Sequence, residues 1–174
     1  MQAWASYIKG FRSYLRLERS LSNNTLEAYE HDLEKLVQYL DYKKLSIAPE
    51  QINHEVLQDF IKWINELGMT SRTQARVLSG IKAFYKYLLM ENLLQDDPTE
   101  LIEGPKIGHK LPDFLTVEEI NALLAGIDLS EPEGQRNKAM LETLYSCGLR
   151  VSELVGLQLS QTYTDVGFVK VTGK

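Results

Sequence analysis

The sequence predicts a mainly α-helical chain: a four-helix front domain, a linker, and a second unit of short helices closing on a β-strand. Three observations predict it. Apolar residues recur at three- and four-residue steps through most of residues 4–90, the spacing of one face of an α-helix. Residues that start or stop helices fall between those periodic stretches. Pro98, Gly104, Pro105, Gly108 and Pro112 then gather within residues 95–112, together with Lys106, His109 and Lys110, which is the composition of a linker.

The first helix, from about Trp4 to Arg19, places Trp4, Ile8, Phe11 and Leu15 on one side. Ser22, Asn23, Asn24 and Thr25 supply N-cap residues for a second helix, whose stripe is Leu26, Tyr29, Leu33, Leu36, Val37 and Leu40. Pro49 and Asn53 open a third, carrying Val56, Leu57, Phe60, Ile61, Ile64 and Leu67, and Gly68 stands where a helix commonly ends on a left-handed residue. The fourth runs from about Ser71 to Glu91 and has two characters. At about 100° per residue, Val77, Ile81, Phe84, Tyr85 and Leu88 share one side. Arg72, Arg76, Ser79, Lys82 and Lys86 share the other. That second face suits either water or a negatively charged partner.

Thr116 and Glu119 form a capping-box pair that opens a helix in the second unit. Another helix covers about Gln135 to Cys147 and stops at Gly148, and a short one follows from about Val151 to Leu157. Residues 166–172 read as a β-strand without a visible partner, so the second unit is expected to be truncated.

Bulk properties exclude several classes. The chain has 174 residues, 44% hydrophobic and 25% charged, which fits packed cores. No apolar run is long enough to span a membrane, and the N-terminus lacks a secretory pattern. A lone cysteine, Cys147, fits a reducing cytoplasm. It precedes a helix-ending glycine and is expected to be a small buried residue. His31, His54 and His109 are scattered and expected on the surface, so no metal cluster is implied. No Gly-rich phosphate loop is present. The net charge of −5 is unlike that of most nucleic-acid binders. Its distribution matters more than its sum, because residues 67–90 hold four basic residues and no acidic one.

Chemistry concentrates at the corner Cys147-Gly148-Leu149-Arg150-Val151-Ser152-Glu153-Leu154. One helix closes at Gly148, and Arg150 stands at the start of the next. An arginine there can present its planar guanidinium to an anion, backed by the N–H groups of the helix start, with Glu153 near enough to orient it. An ordinary Arg–Glu pair at a helix corner fits the same residues.

Gly148-Leu149-Arg150, followed by Ser152-Glu153-Leu154, resembles the first-arginine motif of the tyrosine recombinases, the phage integrase family, and within it the bacterial Xer branch. The resemblance spans essentially the whole chain. Leu21-Ser22-Asn23-Asn24-Thr25-Leu26, continued by Ala28-Tyr29 and Asp32-Leu33, is similar to the second-helix signature of the family's SAM-like core-binding domain. Asp97-Pro98, Gly104-Pro105-Lys106 and Leu111-Pro112 resemble its interdomain linker, and Leu115-Thr116 with Glu119 the start of its mixed α/β catalytic domain. Lys174, ending Val171-Thr172-Gly173-Lys174, matches the family's catalytic lysine on a β-hairpin. The resemblance therefore implies a core-binding domain over residues 1–95, a linker over 96–112, and the N-terminal part of a catalytic domain over 113–174.

The family's reaction explains those residue types. A tyrosine hydroxyl attacks a DNA phosphodiester, giving a 3′-phosphotyrosyl link and a free 5′-hydroxyl. Arginines clamp the non-bridging oxygens, and a lysine protonates the leaving oxygen. By resemblance Arg150 is the first clamp, Lys174 the general acid and Glu153 a support for the arginine. No cofactor is implied, neither ATP nor a metal. The partner is double-stranded DNA at a short inverted-repeat site, bound by a tetramer of recombinase subunits. The second and fourth helices would enter the major groove, which makes Asn24, Thr25, Arg72, Arg76, Lys82 and Lys86 the candidate DNA contacts, with Lys106 and Lys110 from the linker. Most would hold phosphates rather than read bases. A Xer-like role would be chromosome-dimer resolution coupled to cell division; a phage or transposon integrase and a non-catalytic DNA-binding fragment are the alternatives.

The sequence also departs from the family. Its His-x-x-Arg box, later His or Trp, and nucleophilic tyrosine all belong downstream of the hairpin lysine. Tyr145 falls on an apolar stripe with Met140, Leu141 and Leu144 and is expected in a core, and Tyr163 is expected in a polar loop. Neither suits the nucleophile, so these 174 residues are expected not to cleave DNA. Gln161 stands where relatives usually carry Asp, which touches only the local turn.

Overall fold

The structure, a computed structural model, describes residues 2–108 and 111–171, with side chains described from Trp4 onward. Lys110 and Lys174, both assigned roles above, lie outside the described residues. The chain divides into two compact units, residues 1–109 and 110–174.

The first unit is built from α1 (Gln2–Leu17), α2 (Asn23–Tyr42), α3 (His54–Glu66) and α4 (Ser71–Met90), with a single 3-10 turn at Pro49–Gln51. The apolar stripes find each other. Phe11, Leu15, Leu26, Leu33, Leu36, Leu57, Phe60, Ile64, Val77, Ile81, Phe84 and Leu88 form one buried core. Phe84 is its hub, meeting Phe11 edge-on at 5.4 Å between ring centres and stacking on Trp4 at 6.1 Å. Tyr85 is fully buried and its hydroxyl donates to the carbonyl of Pro49 at 3.1 Å, so the one polar atom it brings inside is satisfied. Leu67, expected on the core stripe of α3, is exposed because the helix has already ended one residue earlier.

Helix ends explain how the stripes are aimed. Asn53 caps α3 by accepting from Val56 N–H at 3.0 Å, and Thr70 caps α4 by accepting from Thr73 N–H at 3.3 Å. Three of the four helices close with the next-but-one amide reaching back into the last turn, past a left-handed residue. Lys44, Gly68 and Asn92 take that conformation, with Leu45 N–H bonded to Leu40 O, Met69 to Ile64 and Leu93 to Leu88. In each closure both bonded residues are apolar, the usual hydrophobic partner of this motif. Helix α4 ends at Met90, yet the first unit does not end there. Asp97 accepts from the backbone N–H and hydroxyl of Thr99, and Thr99 and Ile102 are both buried.

The second unit contains α5 (Val117–Ala125), α6 (Gly134–Cys147) and α7 (Val151–Val155), then β1 (Thr162–Tyr163) paired antiparallel with β2 (Phe168–Val169). The capping box at α5 forms as expected: Thr116 Oγ1 accepts from Glu119 N–H at 3.2 Å, and Glu119 Oε2 accepts from Thr116 N–H at 2.8 Å. The predicted lone strand is instead one arm of a two-stranded hairpin. Its partner, Thr162–Tyr163, is too short to show alternation in the sequence. Tyr163 stacks on Phe168 with ring centres 4.5 Å apart. Gln161, the local departure, turns its side chain to accept from Gln158 N–H at 3.2 Å and so closes the preceding turn.

Two further expectations fail here for one reason. Tyr145 is half exposed rather than buried, and Cys147 is exposed rather than buried. The apolar stripe of α6 is real, but among the described residues Met140, Leu141 and Tyr145 have little packed over them.

Candidate nucleic-acid interface and phosphate corner

Two places in the fold carry the candidate residues, one in each unit. In the first unit, α2 packs against α4, and the N-terminal halves of the two helices share a surface. Arg76 shows this directly. Its guanidinium crosses from α4 to α2, where Nη1 lies 2.6 Å from Asp32 Oδ1 and 3.5 Å from the carbonyl oxygen of Ala28. Arg72 is one turn earlier on the same exposed face of α4, and Lys86 is exposed further along it. Asn24 is exposed in the first turn of α2, while Thr25 is half-buried with its hydroxyl 3.0 Å from that of Ser22.

Lys82 behaves differently from its neighbours. Its ammonium donates to the carbonyl of Ile102 at 2.8 Å, and the side chain is partly buried. It secures the segment after α4 to the helix face, leaving Arg72, Arg76 and Lys86 as the outward-facing cations of α4. Lys106 is exposed.

Asp32 is a functional candidate that sequence reasoning missed. Its side chain is only 3% exposed, beneath Gly80 of α4. A Cβ on Gly80 would lie 2.5 Å from Asp32 Oδ2 and 2.8 Å from its Cβ, so the helices can approach this closely only because residue 80 has no side chain. Burial pushes the Asp32 carboxyl up to about 6, against the opposing pull of Arg76 and the weaker one of His31. The Arg76 contact is an ion pair whose alignment leaves Oδ1 without a regular hydrogen bond. The signal was present in the sequence: an aspartate on the apolar stripe between Tyr29 and Leu36, facing a helix that has a glycine in its middle.

In the second unit, Gly148 takes the left-handed conformation at φ 61° and ends α6, with Leu149 N–H returning to Leu144 O. The chain then turns straight into α7, and Arg150 stands at the turn. Glu153 holds it twice, accepting from Arg150 N–H at 2.8 Å and from Nη1 at 2.9 Å. Those two bonds, the backbone one foremost, hold the Glu153 carboxyl below its ordinary range. Glu153 is 16% exposed and Arg150 is 76% exposed, so the carboxylate is the fixed partner and the guanidinium the one on offer. The expected help from backbone N–H groups is partly spent, because the Arg150 amide is bonded to Glu153. What remains is one oriented, open cation. Among the described residues, no group of His, Cys, Asp or Glu is placed to hold a metal, and no helix is long and apolar enough to cross a membrane.

A helical unit with a two-sided basic helix is followed by a second unit that presents an arginine held by glutamate, two arrangements suited to anions. The comparisons place the chain more closely. The model of the phage integrase N-terminal SAM-like domain matches residues 8–92, and the model of the phage integrase family matches residues 113–174. The chain belongs to the phage integrase, or tyrosine recombinase, family. It is 43% identical to the tyrosine recombinase XerD of Pseudomonas aeruginosa over 96% of this chain and 55% of that protein. It is 38% identical to the XerD of Halalkalibacterium halodurans over 100% of this chain and 58% of that protein. The chain thus spans little more than half the length of these relatives. The Tn1549 transposon integrase, solved in complex with a circular-intermediate DNA, aligns over 90% of this chain and 50% of its own, with a TM-score of 0.61 and 18% identity. An integrase from mycobacterium phage Brujita aligns over 96% and 54%, with a TM-score of 0.52 and 22% identity. These two likenesses concern the fold.

Proposed function

We propose that this chain is the DNA-gripping part of a site-specific recombinase of the tyrosine type, and that it supplies one of the arginines that clamp the reacting phosphate. The observation that carries the reading is Arg150, whose backbone N–H and exposed guanidinium each donate to a partly buried Glu153. Such a planar fork suits the non-bridging oxygens of a phosphodiester, where charge gathers as the phosphorus becomes pentavalent. Lys174 is the proposed general acid for the 5′-oxygen. The exposed face formed by Arg72, Arg76 and Lys86 of α4, with Asn24 and Thr25 of α2, is the proposed grip on the duplex, and Lys106 and Lys110 extend it. Most of these contacts would go to phosphates, so binding would be strongly salt-dependent. In the whole protein the proposed activity is strand exchange between inverted-repeat sites by a tetramer. The identity to XerD proteins favours chromosome-dimer resolution in the cytoplasm, and neither ATP nor a metal is required.

For these 174 residues the proposal is binding without cleavage. The stacking of Tyr163 on Phe168 and the place of Tyr145 on the apolar face of α6 support that reading. The test uses a nicked suicide duplex, which traps any covalent protein–DNA link. We expect salt-sensitive retention of the duplex with no covalent adduct. A phosphotyrosyl adduct would overturn the second half of the proposal, and salt-insensitive or absent retention the first.

A further inference from the structure

The contact between Asp32 and Arg76 is unusual in where it sits. A carboxylate is sealed at the crossing of two helices, and its counter-ion stands on the surface with half of its side chain exposed. The aspartate cannot retreat. Gly80 of α4 lies directly over it, with both Oδ2 and the Asp32 Cβ within 3 Å of where a Cβ on that glycine would be. The arginine can move, since half of its side chain is exposed to solvent. The charged groups acting on Asp32 are Arg76 from α4 and His31 from its own helix. On the other elements packed against α2, Arg12 of α1 pairs with Glu30 and Asp59 of α3 pairs with Lys62.

We propose that Asp32 is the positioning residue for Arg76, and that engagement of a DNA phosphate by Arg76 is coupled to uptake of a proton from solvent at Asp32. The inference rests on the reading of Arg76 as a phosphate contact. If the guanidinium swings out to the phosphate, Asp32 loses its principal counter-ion inside the protein. If it stays and bridges both groups, a second negative charge is brought close to the carboxylate. Either arrangement favours the neutral acid, and once the guanidinium leaves, Oδ1 has no other hydrogen-bond partner and is open to the proton. The carboxyl is already displaced to about 6 without DNA, so the step falls near neutral pH. A residue that only pinned α2 to α4 would fix the fold equally with and without DNA, and would give affinity no such pH dependence.

The experiment measures affinity of the 174-residue chain for a fluorescein-labelled mixed-sequence duplex at constant salt. Because histidines titrate in the same range, it is run in a His31→Gln background. If the phosphate raises the Asp32 midpoint by one unit, affinity should rise about sixfold between about pH 7.5 and about pH 5.5. Asp32→Asn should flatten that rise. Retention of the full pH dependence by Asp32→Asn overturns the coupling. Arg76→Ala separates this from the reading beneath it, because unchanged affinity and an unchanged salt slope would take Arg76 off the interface altogether. Weakened binding by Arg76→Ala together with a pH-independent parent would leave the DNA contact standing and remove only the coupling. Should Asp32→Asn fail to fold, carboxyl 13C titration of the unsubstituted chain reads the same event. The Asp32 midpoint is expected to move upward when duplex is added, and an unmoved midpoint overturns the proposal.

Discussion

At Gly80, two local preferences oppose each other. Alanine in a helix interior is favoured over glycine by about 1 kcal/mol. Yet its Cβ would meet Asp32 at 2.5 and 2.8 Å, and the second of those contacts is to an atom fixed to the α2 backbone rather than to a free side-chain end. Overpacking of this kind costs about 1–3 kcal/mol, more than the propensity returns. Gly80→Ala should therefore lower stability, by up to about 2 kcal/mol in urea unfolding, whereas the propensity argument alone predicts a gain. Asp32 adds a pH dependence with a definite sign. A carboxyl raised in the folded chain stabilises most below its ordinary value, and that contribution fades as pH rises through about 6.

Among the elements, the ends of the helices are less well matched to sequence than their faces. Lys44 ends α2 at φ 57°, a conformation that costs an ordinary residue about 1 kcal/mol and glycine very little. Lys44→Gly should raise stability by about 0.5–1 kcal/mol in urea unfolding, provided the Leu45–Leu40 closure is kept. A loss of stability would mean that the lysine side chain does more there than hold a turn. This mismatch shows what the sequence could reveal. The faces of α1 to α4 were legible because each is a long stripe buried against its neighbours. Gly68 and Gly148 announced their turns because glycine has a known use there. Lys44 and Asn92 carry no such mark, although they perform the same closure. The β1–β2 hairpin was half legible for a different reason: β2 shows in Phe168 and Val169, flanked by Val166 and Val171, while β1 offers only Thr162 and Tyr163. Of the candidate site, Arg150 and Glu153 were legible through spacing, since residues three apart at a helix start face each other. Asp32 showed only as an aspartate on an apolar stripe, because the depth of its burial depends on a glycine in another helix, Gly80.

The molecule as a whole is unevenly built. All of its well-buried large apolar side chains among the described residues belong to the first unit, whereas Phe114, Leu123, Leu141, Val151 and Val155 of the second are exposed. Burial of apolar surface is the main source of folding free energy, so resistance to unfolding should be concentrated before residue 109. The boundary of that resistance is set by a contact that composition could not disclose. Lys82 clasps the carbonyl of Ile102, and Ile102 and Thr99 are sunk into the first unit. Local opening governs cleavage by proteases. Brief trypsin treatment should therefore leave a resistant fragment ending at Lys106, the exposed basic residue that follows the clasp; early cutting at Lys82 or Lys86 would contradict this. The same clasp has a practical meaning for anyone shortening the protein. A version stopped at Gln95, where the proline- and glycine-rich stretch begins, would keep every helix of the first unit and still expose the hole left by Ile102. The last plug of that unit is supplied by chain that has no regular structure of its own.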